Sequence, residues 1–410
     1  MTNILPIAQQ PWHQARETRA VMQALADARF VGGCVRNALL GLKVDDIDIA
    51  TPLTPNEVAA CVESRGMRAV ATGIEHGTMT VICNSKPFEV TTLRRDVSTD
   101  GRRASVAFTK SWEEDAARRD FTINALYADM QGNVYDYASG IDDLKGRRVR
   151  FIGVADQRIA EDHLRILRLF RIHAWYGQGE LDRVALAACV SARSKLNSLS
   201  GERIQREMFK LFAARDPGQI VRVMTDSGVL AELVPGALLL SRFESLCAID
   251  LAHGFEADAQ LRACSLLTEL SQAQHISGRW RLSNEDRDRL VSIFAAPVRL
   301  MPDLPANAVR RLLYRHGPSA FSDCVRLRWA SETENAKTKV WRELLLQAER
   351  WQRPKFPLAG SDVMATGISQ GPGVGRVLKQ VEDWWVENDF PEDRALVMER
   401  LKLAAGSAKS

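Results

Sequence analysis

The 410-residue sequence predicts an α+β protein: strands and helices intermingle up to about residue 150, and a long helical stretch follows. Three observations carry this reading. Met79-Thr80-Val81-Ile82 and Phe88-Glu89-Val90-Thr91 show the two-residue alternation of half-buried strands. From about residue 157 onward, apolar residues recur at helical spacing with few strand signals. Capping boxes at Thr54-Pro55-Asn56-Glu57 and Ser283-Asn284-Glu285-Asp286 mark helix starts in the two regions.

In chain order, an amphipathic helix through Val21, Met22, Leu25 and Ala26 leads to a short strand, Arg29-Phe30-Val31, and a Gly32-Gly33 turn. A helix through Val35, Leu39 and Leu40 closes at Gly41. Ile47-Asp48-Ile49-Ala50 is the next strand, and Pro55 fits the first position of the helix after Thr54. The two alternating runs follow, and Gln131-Gly132-Asn133 turns between two further strands. In the helical region Gly317-Pro318 and Arg353-Pro354 punctuate helix ends. Gly371-Pro372-Gly373-Val374-Gly375 interrupts the chain before an amphipathic C-terminal helix.

Composition excludes several classes. With 46% hydrophobic and 26% charged residues the chain is an ordinary globular one, neither disordered nor fibrous. Its length suits two to four domains. The formal charge is 55 − 51 = +4, so a nucleic-acid surface has to come from local concentration of charge. No stretch approaches the roughly 20 apolar residues of a membrane span, and the N-terminus lacks the basic and apolar regions of a secretory signal. A cytoplasmic protein is expected, with no membrane contact and no evident protein partner. The seven cysteines are dispersed without a CxxC pair, and there is no HExxH motif or His-Asp doublet, so neither a zinc site nor a histidine metallohydrolase is indicated.

Three constellations carry possible chemistry. The first is Gly32-Gly33-Cys34-Val35-Arg36 with Asp46-Ile47-Asp48. Two glycines at a strand-to-helix junction let backbone N–H groups approach an anion, and Arg36 adds a charge-assisted bond to phosphate; a tight turn without ligand is the plainer alternative. On a strand, Asp46 and Asp48 share a face. Two crowded carboxylates repel unless a cation lies between them, and Mg²⁺ takes one or two carboxylates with water and substrate phosphates; a solvated strand end with ordinary acids is the plainer alternative. Glu89, on a strand downstream, is a candidate third ligand or an ordinary exposed glutamate. The second constellation is Arg118-Arg119-Asp120-Phe121-Thr122-Ile123-Asn124, with arginines suited to phosphate or ribose and Asp120 and Asn124 as orienting groups; a structural ion-pair network fits equally. The third is Glu161-Asp162-His163-Leu164-Arg165-Ile166-Leu167-Arg168-Leu169-Phe170-Arg171. Read as one helix, it makes Asp162 and Arg165 neighbours, with Ile166, Leu167, Phe170 and Ala174 on the opposite, buried side; an amphipathic helix with solvated ion pairs is the plainer alternative to a charged side that faces a nucleotide.

Together, Phe30–Thr51, Phe88–Phe108, Arg118–Tyr127 and Glu161–Arg171 resemble, in order and spacing, the class II tRNA nucleotidyltransferases and bacterial poly(A) polymerases. Gly201-Glu202-Arg203-Ile204-Gln205-Arg206-Glu207, Phe356-Pro357-Leu358-Ala359-Gly360 and the 371–375 run add to the likeness. The resemblance implies a polymerase β-like nucleotidyltransferase head, a mixed sheet with flanking helices, followed by an all-helical neck, body and tail. The corresponding spans are 1–150, 151–215, 216–350 and 351–410. It implies metal ligands at Asp46 and Asp48, with Glu89 beside them in the catalytic set and Mg²⁺ as cofactor. Nucleotide contacts fall to Gly32, Gly33, Arg36, Arg119, Asp120 and Asn124. A helix beginning at Glu161 takes the place of a nucleic-acid template, giving Asp162 and Arg165 the base-reading role and Arg168 and Arg171 contacts to the nucleotide. One departure is Asn37, where the family usually has Asp: a charge is lost and an acceptor kept.

The base-reading role has a physical basis. Cytosine and adenine both present an amino donor beside a ring-nitrogen acceptor, which suits an aspartate acceptor and an arginine donor. Guanine and uracil reverse that order, and leaving such groups unpaired discriminates by about 10⁴-fold or more. CTP and ATP are therefore the expected substrates. Attack of an RNA 3′-hydroxyl on the α-phosphate, with two-metal assistance, releases pyrophosphate. Lys145, Arg147, Arg148 and Arg150 are candidates to grip RNA.

Addition or repair of the tRNA 3′-terminal CCA is the leading expectation, since Leu93–Arg102 resembles in full the flexible segment that CC-only enzymes partly lack. The short, nearly neutral Leu403–Ser410, in place of a long basic extension, favours tRNA over a poly(A) polymerase. A-only addition remains an alternative.

Overall fold

The computed structural model describes residues 6–74, 77–99, 104–295, 300–302, 304–332 and 338–407. The last residues of the Leu93–Arg102 segment and of Leu403–Ser410 lie outside that set. Two compact units are present: one runs to Gly236 and takes in Arg279–Arg281, and the other holds Ala237–Gly278 and continues from Leu282.

The first unit opens on the expected α+β arrangement. Its strands are β1 (Arg29–Val31), β2 (Asp48–Thr51), β3 (Arg68–Gly73), β4 (Thr78–Cys83), β5 (Lys86–Thr92), β6 (Arg94–Thr99), β7 (Ala104–Phe108), β8 (Leu126–Ala128) and β9 (Val134–Asp136). Seven form a mixed sheet in the order β3-β4-β5-β2-β1-β8-β9, with β2 and β5 parallel and the other pairs antiparallel. Strands β6 and β7 pair separately as a two-stranded ribbon. Strand β4 alternates as its sequence predicts, with Met79, Val81 and Cys83 buried. The edge strand β3 carries no such signal, because its residues are mostly exposed and no apolar face marks it.

Helices pack beside the sheet. The first buries Val21 and Met22 within Arg16–Ala24. A second, Gly33–Leu39, starts directly after Gly32, whose φ of 74° is a left-handed conformation that favours glycine. A third, Pro55–Glu63, begins at the predicted capping box, where Glu57 Oε2 accepts from the Thr54 backbone N–H at 2.8 Å. Val31, Ala50, Leu93, Trp112, Ala116, Ala125 and Tyr127 form one core cluster, joining β1, β2 and β8 to the helix Trp112–Ala117.

The rest of this unit is helical. The helices Arg165–Tyr176 and Gly201–Phe212 bury Ile166, Leu167, Phe170, Ile204, Met208 and Phe212. One expectation needs correction here: no single helix begins at Glu161. The helix Ala155–Glu161 ends there, Asp162 is extended at φ −152° and ψ 107°, and the next helix starts at Arg165. The break follows from side-chain chemistry, since Asp162 Oδ1 accepts from the Leu164 backbone N–H at 3.1 Å, an Asx-turn bond that competes with helix continuation.

The second unit is helical and holds two apolar clusters, one around Phe321, Trp329 and Trp341 and another around Tyr314, Trp385 and Phe390. The helix Ala306–Ala330 is broken at Gly317 (φ 79°), as Gly317-Pro318 predicts. The 371–375 run is not a simple interruption. Gly371 caps a helix whose first turn contains Pro372, Gly373 and Gly375, and a further helix, Arg394–Ser407, follows. No described helix is long and apolar enough to cross a membrane.

Candidate active site

A cavity of about 1210 Å³ in the first unit gathers residues from every predicted constellation. Gly32, Gly33, Arg36, Asp46, Asp48, Arg119, Asp120, Asn124, Asp162, Arg165, Arg168 and Arg171 all line it, whereas Glu89 does not.

The carboxylates sit at the head of β2. Asp48 is the strand's first residue and Asp46 precedes it, so only one of the two is held by sheet pairing. Glu89 is register partner to Asp48 across the parallel β2–β5 pair, with its own side chain exposed. Burial pushes the Asp48 carboxyl up to about 6; Glu89 and Asp46 add to the rise, while Arg119 and Arg36 oppose it. Negative charge is thus crowded at one point, as expected where a cation binds. Among the described residues no group of three His, Cys, Asp or Glu side chains is arranged to hold a metal ion. A Mg²⁺ ion needs only one or two carboxylates when a triphosphate and water complete its shell, so the donor chemistry of Asp46 and Asp48 fits that ion. Glu89 stands as their neighbour.

Arg36 is buried and held from two sides. Its guanidinium donates to Asn124 Oδ1 and, at 2.7 Å, to the Tyr176 hydroxyl, and it lies 3.7 Å from the centre of the Tyr176 ring. Asn37 Oδ1 accepts from Arg36 Nε at 3.2 Å and Nη2 at 3.0 Å, so the asparagine supplies the acceptor expected of it.

Arg118 and Arg119 converge on one buried acid, Asp115, which the sequence reading did not single out. Asp115 Oδ1 accepts from Arg118 Nε (2.9 Å) and Nη2 (2.6 Å). Its Oδ2 accepts from Arg119 Nη2 (2.9 Å) and the Tyr127 hydroxyl (2.7 Å). Burial alone would raise this carboxyl, but Arg119, Arg118 and Tyr127 outweigh it and hold it well below the usual carboxylate range. The spacing carried a signal: Asp115 lies three and four residues before the two arginines at the end of a short helix.

Asp120 is an anchor in the same sense. Its Oδ2 accepts from Arg168 Nε at 2.6 Å, and its Oδ1 from the Phe121 N–H at 2.8 Å and Asn124 Nδ2 at 3.2 Å. Burial would raise the Asp120 carboxyl, yet Arg168 and these donors bring it down to about 2. Asp120 thus holds Arg168 and Asn124 holds Arg36. Arg171 donates to Glu207, a buried acid on the helix Gly201–Phe212.

Among the described residues the side chains of Asp162 and Arg165 do not bond to each other: each has its own support. Arg203 Nη2 donates to both Asp162 oxygens, at 3.0 and 2.8 Å. Arg165 donates to Glu161, to the Arg158 carbonyl at 2.8 Å and to the Arg118 carbonyl at 3.1 Å. Arg203 and Glu207 fall four apart in the Gly201–Glu207 segment, and that helical spacing is the signal that would have found them. Of the candidate RNA-gripping residues, Arg148 and Arg150 are both engaged by the buried Asp143. Arg147 lines the cavity.

Residues 28–150 match the poly A polymerase head domain, and 180–239 match the probable RNA and SrmB-binding site of polymerase A. The chain is 32% identical over 389 residues to the mitochondrial CCA tRNA nucleotidyltransferase 1 of Mus musculus, covering 92% of this chain and 86% of that protein. It is 34% identical over 376 residues to the CCA-adding enzyme of Streptococcus sanguinis, covering 90% of this chain and 91% of that one. The crystal structure of the Bacillus stearothermophilus CCA-adding enzyme in complex with CTP superposes with a TM-score of 0.77 at 28% identity, covering 97% of this chain and all of that one. A poly A polymerase head, a helical remainder and relatives alike over nearly their whole length make this chain a member of the CCA tRNA nucleotidyltransferase family.

Proposed function

We propose that this protein adds or repairs the 3′-terminal CCA of tRNA, taking CTP and ATP and releasing pyrophosphate, as a cytoplasmic enzyme. The observation that carries the reading is the joining of a crowded carboxylate pair, a set of acid-anchored arginines and the Asp162–Arg165 pair in one cavity. This chain's CCA-adding relatives and the CTP complex of the Bacillus stearothermophilus enzyme support the same substrates.

In this mechanism Asp46 and Asp48 would hold Mg²⁺, and the ion would supply Lewis-acid activation of the RNA 3′-hydroxyl and charge neutralisation at the triphosphate. The Gly32-Gly33 backbone and Arg36 receive phosphate, with Arg36 kept in place by Asn124 and Tyr176. Arg119 faces the triphosphate or ribose, already aimed by Asp115 and Tyr127. Such preset donors meet developing charge without reorganising, which is how a site that forms no covalent intermediate accelerates transfer. Asp162 accepts from the amino group of cytosine or adenine, and Arg165 donates to the adjacent ring nitrogen. Arg203 and Glu161 fix the two readers, so the edge they present is set before the nucleotide arrives. Arg168 and Arg171, steadied by Asp120 and Glu207, contact the nucleotide. We assign the head to 1–150, neck to 151–215, body to 216–350 and tail to 351–410.

The test supplies each of the four nucleoside triphosphates singly and in pairs, with Mg²⁺, to tRNA lacking its CCA end and to an unstructured RNA. The expected outcome is use of CTP, then of ATP only after CTP, on tRNA. Incorporation of ATP alone on either RNA points to a poly(A) polymerase, and equal use of GTP and UTP overturns the base-reading assignment.

A further inference from the structure

Trp175 is unusual among the residues lining the cavity: it is a large aromatic side chain with 46% of its surface exposed. Its only polar atom is already committed, since Nε1 donates to the Lys210 carbonyl at 2.7 Å. That bond fixes the indole without covering its face. Tyr176, whose ring is tilted beside the indole at 6.5 Å between centres, has its ring under Arg36 and its hydroxyl accepting from the same guanidinium, so it leaves the exposed part of Trp175 open.

The charges nearby are also distinctive. Arg118, Arg119, Arg165, Arg168, Arg171 and Arg203 are each tied to an acid. Lys210 and Arg215 line the same cavity, are exposed, and enter no ion pair found among the described residues. A fixed aromatic face beside uncommitted cations is the chemistry of single-stranded nucleic-acid binding, in which a base stacks and the phosphates beside it meet positive charge.

Position along the helix separates this face from the base-reading pair. Trp175 lies ten residues after Arg165 on the helix Arg165–Tyr176. At 1.5 Å per residue the two are about 15 Å apart along the axis, too far for one base to touch both. We infer that Trp175 stacks on a base at the 3′ end of the RNA acceptor, with Lys210 and Arg215 receiving its phosphates, while the incoming nucleotide is read at Asp162 and Arg165. This assignment rests on the proposed function and adds to it a binding residue for the other substrate.

The test uses the full-length protein, Mg²⁺, and a tRNA ending at its discriminator base. Trp175→Leu keeps apolar bulk and removes the aromatic face; Trp175→Phe keeps a face and removes the N–H. Stacking predicts that the Leu variant binds RNA about 5- to 100-fold more weakly, with a matching rise in KM for RNA and an unchanged KM for CTP. The Phe variant recovers most of that loss. An RNA-dependent quench of tryptophan fluorescence present in the wild type should shrink in the Phe variant. Equal RNA affinity in wild type and Leu variant overturns the inference, as does a rise confined to the KM for CTP. Equal losses in the Phe and Leu variants also overturn it, because the lost bond to Lys210 would then be the cause. Failure of the wild type to extend tRNA at all would instead refute the proposed function.

Discussion

Replacing Asp115 with alanine tests the arginine anchoring most severely. The carboxylate is inaccessible to solvent and accepts from Arg118, Arg119, Tyr127 and the Arg94 backbone N–H. Arg118 and Arg119 are themselves mostly covered, at 14% and 19% side-chain exposure, so solvent recovers little of what they lose. Removing one partner of a buried charge cluster costs about 3–5 kcal/mol. A domain of ordinary stability, about 5–15 kcal/mol, survives that loss and remains measurable. The cost to function is separate. Arg119 without its anchor loses its fixed aim, and a misplaced charge-assisted bond to the triphosphate is worth about 1.5–3 kcal/mol, or about 10- to 100-fold in KM for CTP. Urea unfolding with steady-state kinetics reads both effects, and Asp115→Asn, which keeps the shape and loses the charge, should fall between. An alanine variant destabilised by less than about 1 kcal/mol, with unchanged KM for CTP, would refute the anchoring argument.

Other predictions follow from the same site. Asp48→Asn should abolish transfer yet raise stability in Mg²⁺-free buffer above pH 6. The folded carboxyl, raised to about 6, pays to ionise where the unfolded one does not, by up to about 3 kcal/mol, and the gain should vanish as pH falls towards 4. Unchanged unfolding midpoints at pH 8 would count against the crowded-carboxylate picture. Asp120 has the opposite sign: held down to about 2, it contributes about 2 kcal/mol above pH 4 that is lost as pH falls through 2. Asp120→Asn should flatten the acid unfolding curve in that window, and a curve as steep as wild type would contradict the Arg168 assignment. Arg203→Ala should leave the fold intact, free Asp162 from its support and relax selection of CTP over UTP by about tenfold or more; unaltered selectivity would show that Asp162 needs no such support.

The sequence made part of this legible because the signals were local. Alternation exposed β4 and β5, Thr54 and Glu57 marked a helix start, and Gly32-Gly33 marked the strand-to-helix turn beside Arg36. The candidate site was legible as segments, and most of their polar residues do meet in one cavity. What stayed hidden depends on tertiary contact. Tyr127, Tyr176, Arg203 and Glu207 gain their meaning from partners on other elements, and nothing in their local spacing names those partners. Asp115 did carry a local signal in its spacing to Arg118 and Arg119, but its burial and its bond to Tyr127 come from the fold. The break at Asp162 was missed because helical periodicity continues across it, whereas the Asx-turn bond from the Leu164 N–H to Asp162 decides the backbone. Strand β3 was missed because an edge strand with little buried surface has no apolar stripe.

The central claim is that this cavity builds CCA on tRNA, and sequencing the RNA 3′ ends over time tests it most directly. Wild-type protein with Mg²⁺, CTP and ATP should convert a tRNA ending at the discriminator base to species ending in C, CC and then CCA, and stop there. A growing tract of A, formed on tRNA and unrelated RNA alike, would contradict the account.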